Sequence, residues 1–419
     1  MLLKIEKLLF YLFLFLIPFQ IRIFLHNNGN EWNSAFFYLA DLLLIVVLAL
    51  AVLRRGIKFN KKDILLLLFL AIAAVSLFAT SSLGISAFRL VKLVEFILLY
   101  IYICSVLSSR RLELRKILSV IFYSGVLQAI LAIAQFIKQG SIGIKFVEAG
   151  IFSPDSPGVA NFILNGERIM RSYASFSHPN VLAGFLLLAI FAFYAIFLQR
   201  DIKGTLRSLI IVFCFLVVVF GLFLTFSRTA IAVFGVISLL FFLIKFFQTR
   251  EKQIIKLFGL FLISCVLAVV ILFPYLKVRF FTISMEEQAV DLRFFYNKMA
   301  WQMIKEKPIL GIGIGNFVNY SQNYPTYLRA AAKMLNLSVI PDWVYQPVHN
   351  IYLLIASEIG ILGLLAFLVF IGINFLGKIK QMGPMWFIFA GFLILALADH
   401  YFWTLQTGGI LFWLALALI

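Results

Sequence analysis

Twelve apolar segments follow one another along the chain, and they constrain its fold more than any other feature of the sequence. A stretch of about 18 or more apolar residues with few charges is typical of a membrane-spanning helix. The composition agrees, since 63% of the 419 residues are hydrophobic and only 13% are charged. We therefore expect an all-α polytopic membrane protein with about twelve spanning helices, in which residues 1–419 form a single integral membrane domain. The apolar segments are 8–25, 35–53, 63–80, 90–107, 117–137, 180–198, 208–226, 229–247, 257–275, 350–374, 384–398 and 408–419.

Basic residues alternate between the connections that join these segments. Five Lys and Arg lie in 54–62 and four in 108–116, whereas 26–34 and 81–88 contain none. Loops rich in Lys and Arg stay on the cytoplasmic side of a membrane. We therefore attribute the net charge of +18 to membrane topology and expect no nucleic-acid partner. The alternation predicts a multi-pass protein of the inner (cytoplasmic) membrane with both termini in the cytoplasm.

Two connections are much longer than the others, and the predicted orientation places both on the outer side. They are residues 138–178 and residues 276–348, the second lying between the ninth and tenth segments. The second loop contains two predicted amphipathic helices, around 291–305 and 325–335, with a Gly-rich turn between them. Long ordered loops in compact proteins are usually functional. We therefore expect the loop 276–348 to be a helical periplasmic or extracellular cap over an active site.

Residues 208–247 are almost all apolar and are too many for a single spanning helix. Forty residues in one helix would extend about 60 Å, twice the thickness of the hydrocarbon layer. The polar cluster at 225–229 is the place where the chain can turn back. This turn predicts that Arg228 lies at the outer mouth of the helix bundle.

Two histidines stand at predicted helix starts and are candidates for acid–base chemistry. His349 opens the tenth apolar segment, and His178 precedes Pro179, a residue that is common in the first helical turn. A helix amino terminus attracts anions and disfavours a charged imidazolium. Either histidine could therefore act as a neutral general base, or it could simply cap its helix.

Arginines on the predicted outer side are candidates for phosphate binding. The guanidinium groups of Arg171, Arg228 and Arg293 can contact phosphate oxygens in a bidentate manner, or they can reach the lipid headgroups. Glu358, in the tenth segment, is costly to expose to lipid and is a candidate partner for one of these arginines. Lys92 and Glu95 share a helix face, and we interpret them as a buried ion pair rather than a proton path.

Other motifs give weaker signals. GIGIGN at 311–316 lacks the GK[ST] of a phosphate loop, so a turn between two surface helices is the better interpretation. The three cysteines lie in apolar runs and form no metal-binding pattern. The sequence contains no Asp-x-Asp motif and no His/Cys cluster, and we expect neither a catalytic metal nor another cofactor.

Taken together, the motifs resemble those of the O-antigen ligase/O-antigen polymerase superfamily of bacterial membrane glycosyltransferases. Their order along the chain and the large loop before the tenth segment also match, and the resemblance covers residues 80–410. The stretches that carry it are RSYASFSHPNVLAG (171–184), LTFSRTA (224–230), DLRFFYNKMAWQMIKEKPILGIGIGNF (291–317), HNIYLLIASEIGILG (349–363) and DHYFWTLQTGG (399–409).

The resemblance implies a reaction and roles for particular residues. The donor would be an oligosaccharide on undecaprenyl diphosphate, and the acceptor a glycan or lipid hydroxyl at the outer face of the membrane. Arg228 and Arg293 would bind the diphosphate, and His349 would deprotonate the hydroxyl, which would displace the polyprenyl diphosphate with inversion. The supporting residues around the acceptor would be His178, Arg171, Asn350 and Glu358.

The sequence leaves the reaction type open. A ligase, a polymerase of repeat units and a transferase to protein are all compatible with these motifs, and so are many sugars and linkages. A transporter or flippase of a lipid-linked glycan or other solute is the alternative from a different class. A transporter requires polar residues along a path across the whole membrane, whereas most polar candidates here lie at the predicted outer mouth.

Overall fold

The computed structural model describes residues 1–28, 31–148, 150–199, 206–281, 288–334 and 340–419. Each of the twelve predicted apolar segments overlaps a helix, which confirms an all-α multi-pass membrane protein. Seven helical segments are long and apolar enough to cross a membrane, and four further apolar helices are shorter. The α-helices are α1 (Leu2–Leu16), α2 (Leu39–Leu53), α3 (Ile64–Val75), α4 (Leu83–Ser108), α5 (Leu114–Lys138), α6 (Pro179–Leu198), α7 (Leu206–Leu224), α8 (Arg228–Thr249), α9 (Lys252–Phe281), α10 (Gln288–Glu306), α11 (Phe317–Ser321), α12 (Pro325–Met334), α13 (Ile351–Leu376), α14 (Pro384–Leu395), α15 (Tyr401–Thr404) and α16 (Gln406–Ala417).

Two antiparallel hairpins, which the sequence analysis did not predict, interrupt the helical pattern. The first pairs β1 (Arg22–His26) with β2 (Ala35–Tyr38), between α1 and α2. The second pairs β3 (Asn161–Leu164) with β4 (Glu167–Met170), inside the first long connection. Each strand has only four or five residues, which is too short to show a clear alternation of apolar and polar positions.

The centre of the bundle is formed by α6 and α16. Nearly every residue of α6 is buried, and all twelve residues of α16 are buried. A twelve-residue helix rises only about 18 Å, less than a bilayer requires. Helix α16 is instead enclosed by other helices, since all its residues are buried. The short last segment is therefore a core element of the bundle.

The predicted turn at 225–229 is confirmed, and one helix extends beyond its apolar segment. Helix α7 ends at Leu224 and α8 begins at Arg228. Helix α9 continues through Pro274 to Phe281, so residues 276–281, which we expected in the long loop 276–348, are helical. The two predicted amphipathic helices of that loop are present as α10 and α12.

The Gly-rich segment after α10 docks on a break in α13. Gly360 has φ 79° and ψ 174°, which interrupts the helix and frees its carbonyl groups. Ile312 N donates to Ser357 O at 2.9 Å, and Gly313 N donates to Glu358 O at 2.9 Å. The GIGIGN segment is therefore a turn between α10 and α11, as expected, but it is buried against α13.

Replacing Gly360 should destabilise the protein strongly. A Cβ at this position would lie 1.9 Å from Ile309 O, and the backbone conformation there disfavours any side chain. We expect Gly360→Ala to cost at least about 2 kcal/mol, measured as a lower thermal unfolding temperature of the purified protein in detergent. Gly372→Ala, in the same helix with open space around it, is the control and should have little effect. Equal unfolding temperatures for the two variants would contradict the docking of the Gly-rich segment.

Candidate active site

A polar cavity lies where α6, α8 and α13 begin and where α7 and α9 end. This cavity, which we call the main pocket, has a volume of about 490 Å³. The five predicted residues Arg171, His178, Arg228, Arg293 and His349 all line it. Side chains from distant parts of the sequence therefore meet at one end of the bundle.

Two of the predicted site residues, Asn350 and Glu358, are not part of the lining of the main pocket. Asn350 caps α13, and its side-chain oxygen accepts a hydrogen bond from Leu353 N at 3.0 Å. Glu358 lines a separate, smaller cavity together with Arg89. It accepts a hydrogen bond from Trp403 Nε1 at 2.9 Å. Glu358 is thus not brought to the main pocket; its carbonyl oxygen instead accepts a hydrogen bond from Gly313 N of the Gly-rich segment.

One side of the main pocket is built on the end of α7. The last carbonyl groups of a helix have no partners within the helix, and arginines satisfy them here. Arg171 Nε donates to Thr225 O at 2.7 Å, and Arg279 Nε donates to Phe226 O at 3.3 Å. Together with Arg228 at the start of α8, these arginines form what we call the arginine wall, comprising Arg171, Arg228 and Arg279.

The arginine wall concentrates positive charge. Burial, together with the like charges of Arg279 and Arg228, lowers the pKa of Arg171 to about 9. Such a cost to the charged form is offset when an anion binds next to it. Since the amino termini of α6 and α8 also open onto the pocket, this side is suited to a phosphate or diphosphate group.

A hydrogen-bonded chain connects the arginine wall to a carboxylate. Arg171 Nη2 donates to Asn180 Oδ1 at 2.7 Å, and Asn180 Nδ2 donates to Asp399 Oδ2 at 2.7 Å. His178 caps α6 by accepting a hydrogen bond from Asn180 N at its Nδ1, at 3.1 Å. Burial, followed by the charge of Arg171, lowers the pKa of His178 to about 3. His178 is therefore neutral, and its hydrogen bond with Asn180 N keeps Asn180 in position between Arg171 and Asp399.

His349 lies between two other rings. Its ring stacks on Tyr296 with a centroid distance of 6.0 Å and meets His400 edge-on at 4.7 Å. Its Nδ1 is buried and has no hydrogen-bond partner among the described residues. Burial, followed by the charges of His400 and Arg293, lowers the pKa of His349 well below its usual value. The neutral imidazole is thus in the protonation state that a base requires.

Asp399 and His400 join this group from the connection between α14 and α15. His400 Nδ1 lies 2.8 Å from Thr404 Oγ1, and burial is the main cause that lowers the pKa of His400 to about 4. Burial raises the pKa of Asp399, but the nearby histidines and Arg293 outweigh it and lower that pKa to about 2. A carboxylate therefore stands beside neutral imidazoles at neutral pH.

The same three side chains form a compact group in the main pocket. Ligand-type atoms of His349, Asp399 and His400 all lie within 4.8 Å of one another, a spacing that could accommodate a metal ion. The motif search considered only neighbours along the chain and therefore did not reveal this group.

The sequence analysis did not identify several residues of the main pocket. Arg279 was placed in a loop, although it lies in the last turn of α9. Asp399 and His400 stand between two apolar segments, and the helix-end argument that we applied to His178 would have found them. Glu31 and Trp32 also line the pocket, but they reach it through the unpredicted first hairpin.

Part of the chain is similar to a known protein family. Residues 212–368 match the model of a family described as O-antigen ligase. This segment contains Arg228, Arg279, Arg293 and His349, four of the residues that line the main pocket. Over these residues the match agrees with the resemblance seen in the sequence, and it extends from within α7 to within α13. A comparison with curated proteins finds no match.

The arginine wall predicts a measurable affinity for a free anion. We expect the purified protein to bind inorganic pyrophosphate, and Arg228→Ala or Arg279→Ala to weaken this binding about tenfold, the effect of one lost charged hydrogen bond. Isothermal titration calorimetry at low salt measures the affinity. Arg168→Ala is the matched control, because Arg168 is solvent-exposed and outside the pocket. Equal affinities for all the variants and the wild type would contradict the assignment of the wall.

Proposed function

We propose that this protein transfers a glycan from an undecaprenyl-diphosphate donor to an acceptor hydroxyl at the outer face of the cytoplasmic membrane. The reaction would be metal-independent and inverting, of the O-antigen ligase or polymerase type, in the synthesis of a cell-surface polysaccharide or lipopolysaccharide. The observation that carries the proposal is the buried, unpartnered Nδ1 of the neutral His349 in a pocket that also contains the arginine wall.

The geometry supports a single displacement. The acceptor hydroxyl donates its hydrogen bond to His349, because a buried nitrogen left without a partner costs about 1–3 kcal/mol. As the proton moves to the imidazole, the hydroxyl oxygen bonds to the anomeric carbon. The bond from that carbon to the diphosphate oxygen breaks on the opposite face, which inverts the configuration.

The leaving group needs stabilisation of negative charge. Undecaprenyl diphosphate departs with the electron pair of the broken bond and remains an anion next to Arg171, Arg228 and Arg279, with Arg293 on the same pocket. Fixed positive groups in a site that excludes water are an effective way to stabilise such charge. Because the arginines supply this charge, the mechanism requires no metal.

The proposed orientation follows from the directions of the helices. Helix α2 begins directly after β2 of the first hairpin, and Arg89 near the start of α4 donates to Trp32 O, which lies in that hairpin's connection. The basic connections 54–62 and 108–116 that follow these helices therefore lie at the other end of the bundle. The positive-inside rule assigns that end to the cytoplasm. The pocket would therefore open to the outer side, and the loop 276–348 contributes α10, whose Arg293 and Tyr296 cover it.

A flippase remains the alternative, and the buried charges of α4 bear on it. Lys92 forms ion pairs with Asp41 and with Glu95, the latter at 2.9 Å, as the sequence predicted for Lys92 and Glu95. Gln406 Nε2 also donates to Glu95 at 3.0 Å. These groups satisfy one another, which supports a structural role for the cluster rather than a conducting path.

The test is release of undecaprenyl diphosphate by the purified protein. We expect release from a lipid-linked oligosaccharide to depend on an added acceptor, to continue in the presence of EDTA, and to fall by about 10²–10⁴-fold in His349→Ala. His26→Ala is the control, since His26 is exposed on β1. A ladder of products would identify a polymerase, and one added chain a ligase. Loss of release in EDTA with recovery on adding Zn²⁺ would refute metal independence, and full activity of His349→Ala would refute the assigned base.

The pH dependence of the reaction gives an independent test. A base must be neutral, and the lowered pKa of His349 keeps it neutral below the ordinary histidine pKa of about 6.5. We therefore expect kcat/KM to be constant from pH 8 to pH 6.5 and to fall only at lower pH. A rate that instead rises as the pH drops through 6.5 would show that the charged imidazolium is the active form.

A further inference from the structure

The first hairpin contributes a second, chemically different side to the main pocket. Its connecting segment places Glu31 and Trp32 on the pocket lining. We call these two residues the hairpin wall. It differs from the arginine wall because it presents an aromatic ring and a carboxylate instead of guanidinium groups.

The hairpin wall lies close to the histidine assigned as the base. The Trp32 ring meets the His400 ring edge-on, with centroids 5.0 Å apart. The His400 ring in turn lies 4.7 Å from the ring of His349. The rings of Trp32 and His349 both contact the His400 ring, so a molecule bound against Trp32 lies in the same part of the main pocket as His349.

Buried hydrogen bonds fix this wall in position. Arg89 Nη1 donates to Thr404 O at 2.7 Å, and Arg89 Nη2 donates to Trp32 O at 3.2 Å. One guanidinium group thereby joins the hairpin to α15, the helix that begins next to His400. Trp32 and His400 consequently keep a constant spacing, which a binding surface requires.

The chemistry of the hairpin wall suits a polyhydroxylated ligand rather than a phosphate. Glu31 accepts a hydrogen bond from Arg22 at 2.8 Å, and its side chain is still 34% exposed, so it can accept further hydrogen bonds. A carboxylate repels the diphosphate toward the arginine wall. An indole offers a rigid apolar surface of the kind that the C–H face of a sugar ring can cover.

We propose that the hairpin wall is the binding subsite for the acceptor and that the acceptor is a saccharide. This inference rests on the proposed function for the direction of transfer. The sugar ring packs on Trp32 and donates hydroxyl hydrogen bonds to Glu31, which places another of its hydroxyls at His349. Donor and acceptor thus bind to two chemically different sides of one pocket. The diphosphate binds at the arginine wall, and the acceptor sugar binds at the hairpin wall.

Binding of free saccharides tests the subsite without requiring catalysis. The probe is a panel of di- to tetrasaccharides containing hexose, hexosamine and heptose, detected by saturation-transfer NMR on the full-length protein in nanodiscs. We expect Trp32→Ala to weaken saccharide binding at least tenfold and Trp32→Phe to retain most of it. Trp301→Ala is the matched control, because Trp301 is 55% exposed on α10 and should leave binding unchanged.

Pyrophosphate binding shows in the same samples whether each variant is folded. Trp32→Ala should bind pyrophosphate like the wild type, because the arginine wall is intact. In transfer assays the same variant should raise the KM for the acceptor at least tenfold, while the KM for the donor stays constant.

The outcomes separate the two proposals. Saccharide binding that depends on Trp32, without any transfer by the wild type, would uphold the subsite and refute the proposed reaction. Absence of saccharide binding by the wild type, or equal binding by Trp32→Ala, would overturn the subsite even if transfer occurs.

Discussion

The contacts between arginines and the free carbonyl groups at the end of α7 hold the candidate site together. In an apolar bundle, an unsatisfied carbonyl group is costly, and Arg171 and Arg279 satisfy Thr225 O and Phe226 O. These contacts also hold like charges close together, which proteins tolerate only where an anion or a carboxylate balances them. Asn180 links Arg171 to Asp399 through hydrogen bonds, and the Asp399 carboxylate offsets part of the positive charge. The remaining positive charge makes the arginine wall suitable for a diphosphate.

Rigid helices determine where the other polar groups stand. Helix α6 is buried along nearly its whole length. Its packing therefore fixes the position of His178, its N-cap residue, along the axis of the helix bundle. Helix α13 is held by the Gly-rich segment that docks at its break, and His349 stands just before its first turn. Burial of the two histidine rings lowers their pKa and keeps both neutral. The site thus combines strong positive charge on one side with neutral bases on another.

The sequence predicted the helices well because apolar length is a local property that lipid imposes on each segment separately. It also predicted that polar chemistry would gather at helix ends, which holds for Arg228, His349 and His178. It did not predict the hairpins, whose strands are too short to show a pattern, nor Arg279, which α9 carries beyond Pro274. It offered Glu358 as a partner for an outer arginine, whereas Glu358 lines a separate cavity with Arg89.

The sequence by itself determined the class of protein, the positions of the apolar helices and the residue types available at their ends. Only the tertiary structure decided which ends share a pocket, bringing Asp399 and His400 to His349 and the first hairpin to both. The reason is that hydrophobic burial is not directional. Helices of similar apolarity satisfy the membrane in many lateral arrangements, and specific packing, helix breaks and buried hydrogen bonds select one of them.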